Sequence, residues 1–150
     1  EKWHEDVKDV SITTIVPTQL YDIVQRKLKA PSNLRYLIVG GDFLSSKLKE
    51  GALELGWPVI RTFGMSEVCW QLASTKTPVS DELEILPIHQ VKIENETLLV
   101  KSPSLFTLEF TFGKNFRVKS LKELSNKEGF FITKDRAEIK GNILTHLGRI

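Results

Sequence analysis

Apolar and polar positions follow two different rhythms along this chain. In the first half, short apolar runs alternate with helical patterns. Thr13-Thr14-Ile15-Val16 is a β-branched run closed by Pro17, which predicts a buried strand. Leu20, Ile23, Val24 and Leu28 then recur at helical spacing, with Thr18 as the expected cap, Lys27 and Lys29 near the helix end and Pro31 as terminator. Tyr36-Leu37-Ile38-Val39 predicts a second strand, followed at once by Gly40-Gly41. Ser45 or Ser46 caps a second helix through Leu48, Ala52 and Leu55, and Gly56 closes it. Pro58-Val59-Ile60 opens a third strand that leads into Phe63-Gly64-Met65-Ser66-Glu67. Strands and helices joined in this order predict parallel pairing in a covered sheet.

The rhythm changes after the turn-rich stretch Thr77-Pro78-Val79-Ser80-Asp81. Val91-Lys92-Ile93 and Leu98-Leu99-Val100 flank Glu94-Asn95-Glu96 as a hairpin, and Ala137-Glu138-Ile139 and Ile143-Leu144-Thr145 flank Lys140-Gly141-Asn142 as another. Phe130-Phe131-Ile132 predicts a strand ahead of a loop at Thr133-Lys134-Asp135. Leu105, Phe106, Leu108, Phe110 and Phe112 read as core. The expected fold class is therefore α/β: a parallel αβ layer, a partial doubly wound subdomain, over 1–78, then a small antiparallel β-barrel-like subdomain over 79–150.

Composition narrows the function classes. With 21 basic and 19 acidic residues, the net charge of +2 gives no case for nucleic acid or an anionic membrane. A mild basic cluster from Lys114 to Lys127 reads as solvated surface. The one cysteine, Cys69, allows no intrachain disulfide and fits a reducing cytoplasm; beside Trp70 it reads as a small buried hydrophobe. No apolar run reaches membrane-span length. His4, His89 and His146 lack metal-ligand spacing and read as surface or core histidines.

Three stretches carry candidate chemistry. Gly40-Gly41 follows a strand end, where open α/β sheets bind ligands, although a plain strand-to-helix turn is the better account of two glycines alone. Phe63-Gly64-Met65-Ser66-Glu67 offers an aromatic face, a glycine, a hydroxyl and a carboxylate able to meet Mg²⁺; a loop with a helix-start Ser and Glu explains it equally well. Asp135 can accept hydrogen bonds from ribose hydroxyls, against the commoner reading of a turn Asp. Neither standard phosphate loop is present.

Taken in order, these residues resemble the adenylate-forming superfamily of acyl-CoA synthetases, luciferases and adenylation domains. Phe63-Gly64-Met65-Ser66-Glu67 is similar to its Tyr-Gly-x-Thr-Glu motif. Gly129-Phe130-Phe131-Ile132-Thr133-Lys134-Asp135 is similar to Gly-Trp-Phe-x-Thr-Gly-Asp, and Leu147-Gly148-Arg149 to the Gly-Arg ahead of the interdomain hinge. Leu37-Ile38-Val39-Gly40-Gly41 and Leu99-Val100-Lys101-Ser102-Pro103 match further segments in order. Val16-Pro17-Thr18-Gln19-Leu20 and Thr-Lys-Asp-Arg at 133–136 resemble the o-succinylbenzoate–CoA ligase branch.

The resemblance implies an acid–thiol ligase using ATP, Mg²⁺ and CoA. Its substrate would be a small carboxylic acid, o-succinylbenzoate, in menaquinone biosynthesis. It implies that Phe63 packs on adenine beside Gly64, that Ser66 contacts a phosphate or the acyl carboxylate, and that Glu67 binds Mg²⁺. Asp135 would hold the ribose hydroxyls with help from Arg149, while Gly40 and Gly41 line the junction of adenine and acyl pockets. It also implies an internal fragment of the large N-terminal domain, inactive alone, without the phosphate-gripping loop or the later domain's lysine. Other acyl-CoA synthetases and a non-catalytic nucleotide-binding relic are the alternatives. Lys134, where the family has Gly, is the departure that bears most on the site.

Overall fold

Strand β1 (Ile12–Ile15) pairs in parallel with β2 (Tyr36–Val39), which pairs in parallel with β3 (Val59–Met65). In this computed structural model the described residues are 7–112, 118–123 and 125–150, with side chains described outside Trp70 and 109–124. They form two compact units, one of Glu1–Gly64 and Ala73–Glu84, the other of Met65–Leu72 and Ile85–Ile150. The parallel αβ layer expected from the sequence lies within the first unit.

Helix α1 (Pro17–Gln25) links β1 to β2, and α2 (Ser46–Glu54) links β2 to β3. The predicted Thr18 cap is not the one used. Pro17 takes the first helical position, which needs no N–H donor, and the Gln19 side chain instead accepts from Val16 N at 3.1 Å. Ser45 caps α2 as expected, its hydroxyl accepting from Leu48 N. Both helices end the same way. The residue two past the C-cap donates to the carbonyl five positions back in the helix: Leu28 N to Ile23 O, and Trp57 N to Ala52 O. That closure needs a left-handed residue, supplied by Gly56 (φ 85°) in α2 and by Lys27 (φ 53°) in α1.

The two helix ends then lock together. Trp57, fully buried, donates its indole N–H to Leu28 O at 2.8 Å, so a large apolar side chain is buried without an orphaned donor. Leu20, Ile23, Leu37, Val39, Ala52 and Val59 complete this core. One charge is buried here too: Lys49 donates to Asp81 Oδ1 and to Ser80 O, tying α2 to the turn-rich stretch.

The second unit is antiparallel. Strands β6 (Gln90–Glu94) and β7 (Thr97–Lys101) form the first expected hairpin, with Asn95 and Glu96 both at positive φ, the pattern of a two-residue type I′ turn. Strands β10 (Phe131–Lys140) and β11 (Ile143–Arg149) form the second, turning at Gly141-Asn142. The order is β11-β10-β7-β6, an open run of strands, so the barrel-like expectation is corrected to an open sheet. A separate ribbon pairs β8 (Leu108–Phe112) with β9 (Val118–Glu123). The two remaining strands, β4 (Trp70–Ser74) and β5 (Leu83–Ile85), each straddle a point where the chain passes from one unit to the other.

Several sequence expectations fail on exposure. Phe106 and Leu108 are exposed rather than core, and Cys69 is exposed rather than buried. The side chains of Phe110 and Phe112, His4, and most of the Lys114–Lys127 cluster lie outside the described residues. His89 is a buried histidine whose Nε2–H donates to Gln71 O at 2.8 Å, while its Nδ1 has no hydrogen-bond partner among the described residues. Among the described residues no helix is long and apolar enough to cross a membrane.

Candidate nucleotide site

Strand β3 does not stop at the third apolar run but continues through Phe63, Gly64 and Met65. A single 3₁₀ turn, Ser66–Val68, follows, and it ends at Cys69 in the left-handed region (φ 55°). This turn is pinned twice within the second unit. Phe106 N donates to Glu67 O at 2.9 Å, and the Ser104 hydroxyl donates to Val68 O at 2.9 Å. Ser104 is itself set by Ser102, whose hydroxyl accepts from Ser104 N. The turn backbone is thus bonded before any ligand arrives, which leaves the Glu67 side chain for other work. That carboxylate is half-buried and makes no hydrogen bond or ion pair among the described residues.

Asp135 lies in the middle of β10 and not in the loop expected at 133–135, because pairing with β11 carries the strand on to Lys140. Thr133 and Asp135 face inward with Ala137, alternating with exposed Lys134 and Arg136. The Thr133 hydroxyl accepts from Asp135 N at 3.0 Å, one of the side-chain-to-backbone bonds that fix the strand. Across the hairpin, Asp135 is the register partner of Arg149, whose Nε is 3.8 Å from Asp135 Oδ1. The Arg149 side chain is 81% exposed, so this pair contributes little stability and leaves the guanidinium able to meet a ligand.

These parts meet at one cleft in the second unit, with a volume of about 460 Å³. Met65, Ser66 and Glu67 line it from the turn, Phe106 and Leu108 from the segment after β7, and Phe131 to Asp135 with Arg149 from the β10–β11 hairpin. Four predicted site residues therefore come together: Ser66, Glu67, Asp135 and Arg149. Gly40, Gly41, Phe63 and Gly64 belong to the first unit, where Gly41 has a φ of 89°. Sequence reading missed Phe106 and Leu108 as cleft residues, whereas Lys134, already expected to bear on the site, does line the cleft. It also missed His146, whose Nε2 lies 3.0 Å from Asp135 Oδ1.

The charges in the cleft are mixed. Glu67 and Asp135 supply two carboxylates; Lys134 and Arg149 supply two cations. Exposed apolar walls at Phe106, Leu108 and Ile132 stand beside them. A ligand with a flat or apolar portion, hydroxyls and an anionic group matches that lining. Among the described residues no three potential ligands cluster tightly enough to hold a metal ion on their own. A single carboxylate instead suits a Mg²⁺ that arrives on a phosphate and keeps several waters.

Comparison with known proteins extends this reading. The chain is 31% identical over 140 residues to a 2-succinylbenzoate–CoA ligase of Staphylococcus epidermidis, which is 89% of this chain and 30% of that protein. To the enzyme of that name from Escherichia coli it is 27% identical over 138 residues, 91% of this chain and 29% of that protein. Among solved structures, wild-type E. coli MenE with a bound m-phenylether-linked analogue of OSB-AMS superimposes with a TM-score of 0.82 at 25% identity, covering 99% of this chain and 32% of that one. The o-succinylbenzoate CoA synthetase (MenE) of Bacillus subtilis, in complex with ATP and magnesium ion, shares the fold with a TM-score of 0.72 at 23% identity, over 93% of this chain and 32% of that one. The chain thus spans about 30% of the length of the curated relatives it matches. No family model matches the chain.

Proposed function

The chain belongs to the adenylate-forming superfamily, and from that membership we propose that it forms the nucleotide-holding segment of an ATP-dependent o-succinylbenzoate–CoA ligase of menaquinone biosynthesis. The observation that carries the proposal is the cleft itself. It joins Ser66 and Glu67 to Asp135 and Arg149 across more than sixty residues of sequence, and these are the family motif positions.

In this reading the substrates are a small carboxylic acid, Mg·ATP and CoA, met in a reducing, cytoplasmic setting. The acid's carboxylate attacks the α-phosphate of ATP to give the acyl-adenylate and pyrophosphate, and the CoA thiolate then displaces AMP. Little of this needs covalent help from the protein; positioning and charge compensation dominate. Asp135 accepts the ribose hydroxyls, and Arg149 beside it favours an anionic neighbour. Ser66, at the exposed start of the turn, donates to a phosphate or carboxylate oxygen. Glu67 receives the Mg²⁺ carried by the nucleotide, whose charge lowers the cost of the phosphate's developing negative charge. Phe63 and Gly64 on the adenine side, and Gly40 and Gly41 at the acyl junction, are proposed from the motif match.

An acid panel with the full-length protein, scored by AMP release, tests the proposal. We expect o-succinylbenzoate to be turned over ahead of benzoate and fatty acids. Preference for another acid would move the protein to a different acyl-CoA synthetase. Nucleotide binding with no acid consumed would identify a relic of the fold, a reading that Lys134 in the family's glycine position favours.

A further inference from the structure

The register of the β10–β11 hairpin contains a single irregularity, and it lies beside Asp135. Asp135 opposes Arg149 and Arg136 opposes Gly148, but Ala137 opposes His146. Leu147 is therefore an extra residue on β11, a β-bulge. In a regular strand, residues 146 and 149 would point to opposite faces, being three apart. The bulge cancels that alternation and turns His146 to the face shared by Asp135 and Arg149. Gly148, at φ 104°, supplies the backbone that the bulge requires. Ala137 opposite is small and buried, which leaves room for the imidazole.

We infer that His146 is a positioning residue for Asp135: its Nε2–H donor fixes the carboxylate that receives the ligand's ribose hydroxyls. The inference rests on the nucleotide reading of the cleft. His146 Nε2 lies 3.0 Å from Asp135 Oδ1, well inside hydrogen-bond reach, with the carboxylate side chain only 12% exposed and the imidazole 26%. Arg149 Nε approaches the same oxygen, Oδ1, at 3.8 Å. Both neighbours thus engage Oδ1, while Oδ2 makes no hydrogen bond among the described residues. A carboxylate held by one oxygen presents the other in a fixed direction. A ribose diol then meets an acceptor that has already lost its rotational freedom. Sites held this way depend on the supporting donor as well as on the group that touches the ligand.

The test compares AMP with 2′,3′-dideoxy-AMP, which lacks both hydroxyls, by calorimetric titration of the full-length protein. The wild-type protein is expected to bind AMP more tightly than the dideoxy analogue. His146→Leu should weaken AMP about tenfold and leave the dideoxy analogue unchanged, so that discrimination collapses. His146→Gln, which keeps an N–H donor, should recover most of the difference. Should His146→Leu fold poorly, His146→Phe, which keeps the ring volume but no N–H donor, takes its place and should lose the same discrimination, with thermal unfolding as the check on both. Absence of AMP binding to the wild-type protein would overturn the nucleotide reading itself. Normal AMP binding with discrimination intact in His146→Leu and His146→Phe, or equal weakening of both ligands, would overturn the positioning role and leave that reading standing.

Discussion

Phe106 donates its backbone N–H to the carbonyl oxygen of Glu67 at 2.9 Å, so the exposed segment after β7 holds the turn that carries the proposed metal-binding carboxylate. Ser104, two residues earlier, repeats the device by donating its hydroxyl to Val68 O. Ser104→Ala removes this second tie and leaves a carbonyl short of a partner. It should cost about 1 kcal/mol of stability, read by chemical denaturation. It should also raise KM for ATP, because the Ser66–Val68 turn would no longer be fixed before the nucleotide binds.

In the first unit the Lys49–Asp81 ion pair, buried only on the lysine side, should respond asymmetrically. The Lys49 side chain is 5% exposed and the Asp81 side chain 68%. Asp81→Ala leaves a buried ammonium with only the Ser80 carbonyl, which should cost about 2 kcal/mol. Lys49→Met returns Asp81 to water and places an apolar side chain in an apolar site, so its cost should stay below about 1 kcal/mol. Paired urea titrations decide the order; equal costs would show that the pair acts as a symmetrical surface contact.

Lys92 links the two sides of the second unit's surface, with Nζ 2.7 Å from Glu94 and 2.6 Å from Glu128. Hydrogen bonding to Glu128, then to Glu94, raises the Lys92 pKa above its ordinary 10.5, and the bond to Lys92 lowers that of Glu128 below its ordinary 4.5. A lowered carboxylate stabilises the fold above its unfolded value and loses that contribution as pH falls through the folded one. A raised lysine stabilises below its unfolded value and loses that as pH rises through the folded one. The difference in Tm between wild type and Lys92→Met should therefore be flat between pH 5 and 10, shrink on the acid side below 4.5 and on the basic side above 10.5. Because Glu94 and Glu128 are exposed, added salt should shrink it at every pH.

Much of the fold was legible because its signals are local. Ser45 ahead of a helical stretch, Asn95 at a hairpin turn and the apolar run ending at Val39 each act on neighbours a few residues away, and each forms the predicted element. What the sequence concealed depends on distant pairing. Residues 65–72 belong to the second unit although the chain on either side belongs to the first. Phe106 and Leu108 look like core by composition, yet they are exposed and wall the cleft, because their exposure is set by where the β10–β11 hairpin falls. Asp135 was legible as a chemical candidate but not as a strand residue. The partnership of Asp135 with His146 depends on a one-residue bulge that no local pattern announces.

The Glu67 carboxylate should matter to chemistry more than to folding, since only its backbone carbonyl carries a structural bond. Glu67→Gln in the full-length protein should leave Tm within about 1 °C, as surface changes away from packing usually do. It should lower pyrophosphate exchange about a hundredfold through lost charge compensation. Unchanged exchange would remove Glu67 from the site.

The most direct measurement substitutes Mn²⁺ for Mg²⁺ on ATP and maps its paramagnetic broadening on the ¹⁵N-labelled full-length protein. The account predicts that amide signals of Ser66–Val68 and Thr133–Arg136 broaden together, and that Glu67→Gln abolishes the effect at both. Broadening confined to one of these segments, or centred elsewhere on the chain, would contradict a single adenylate cleft shared by Glu67 and Asp135.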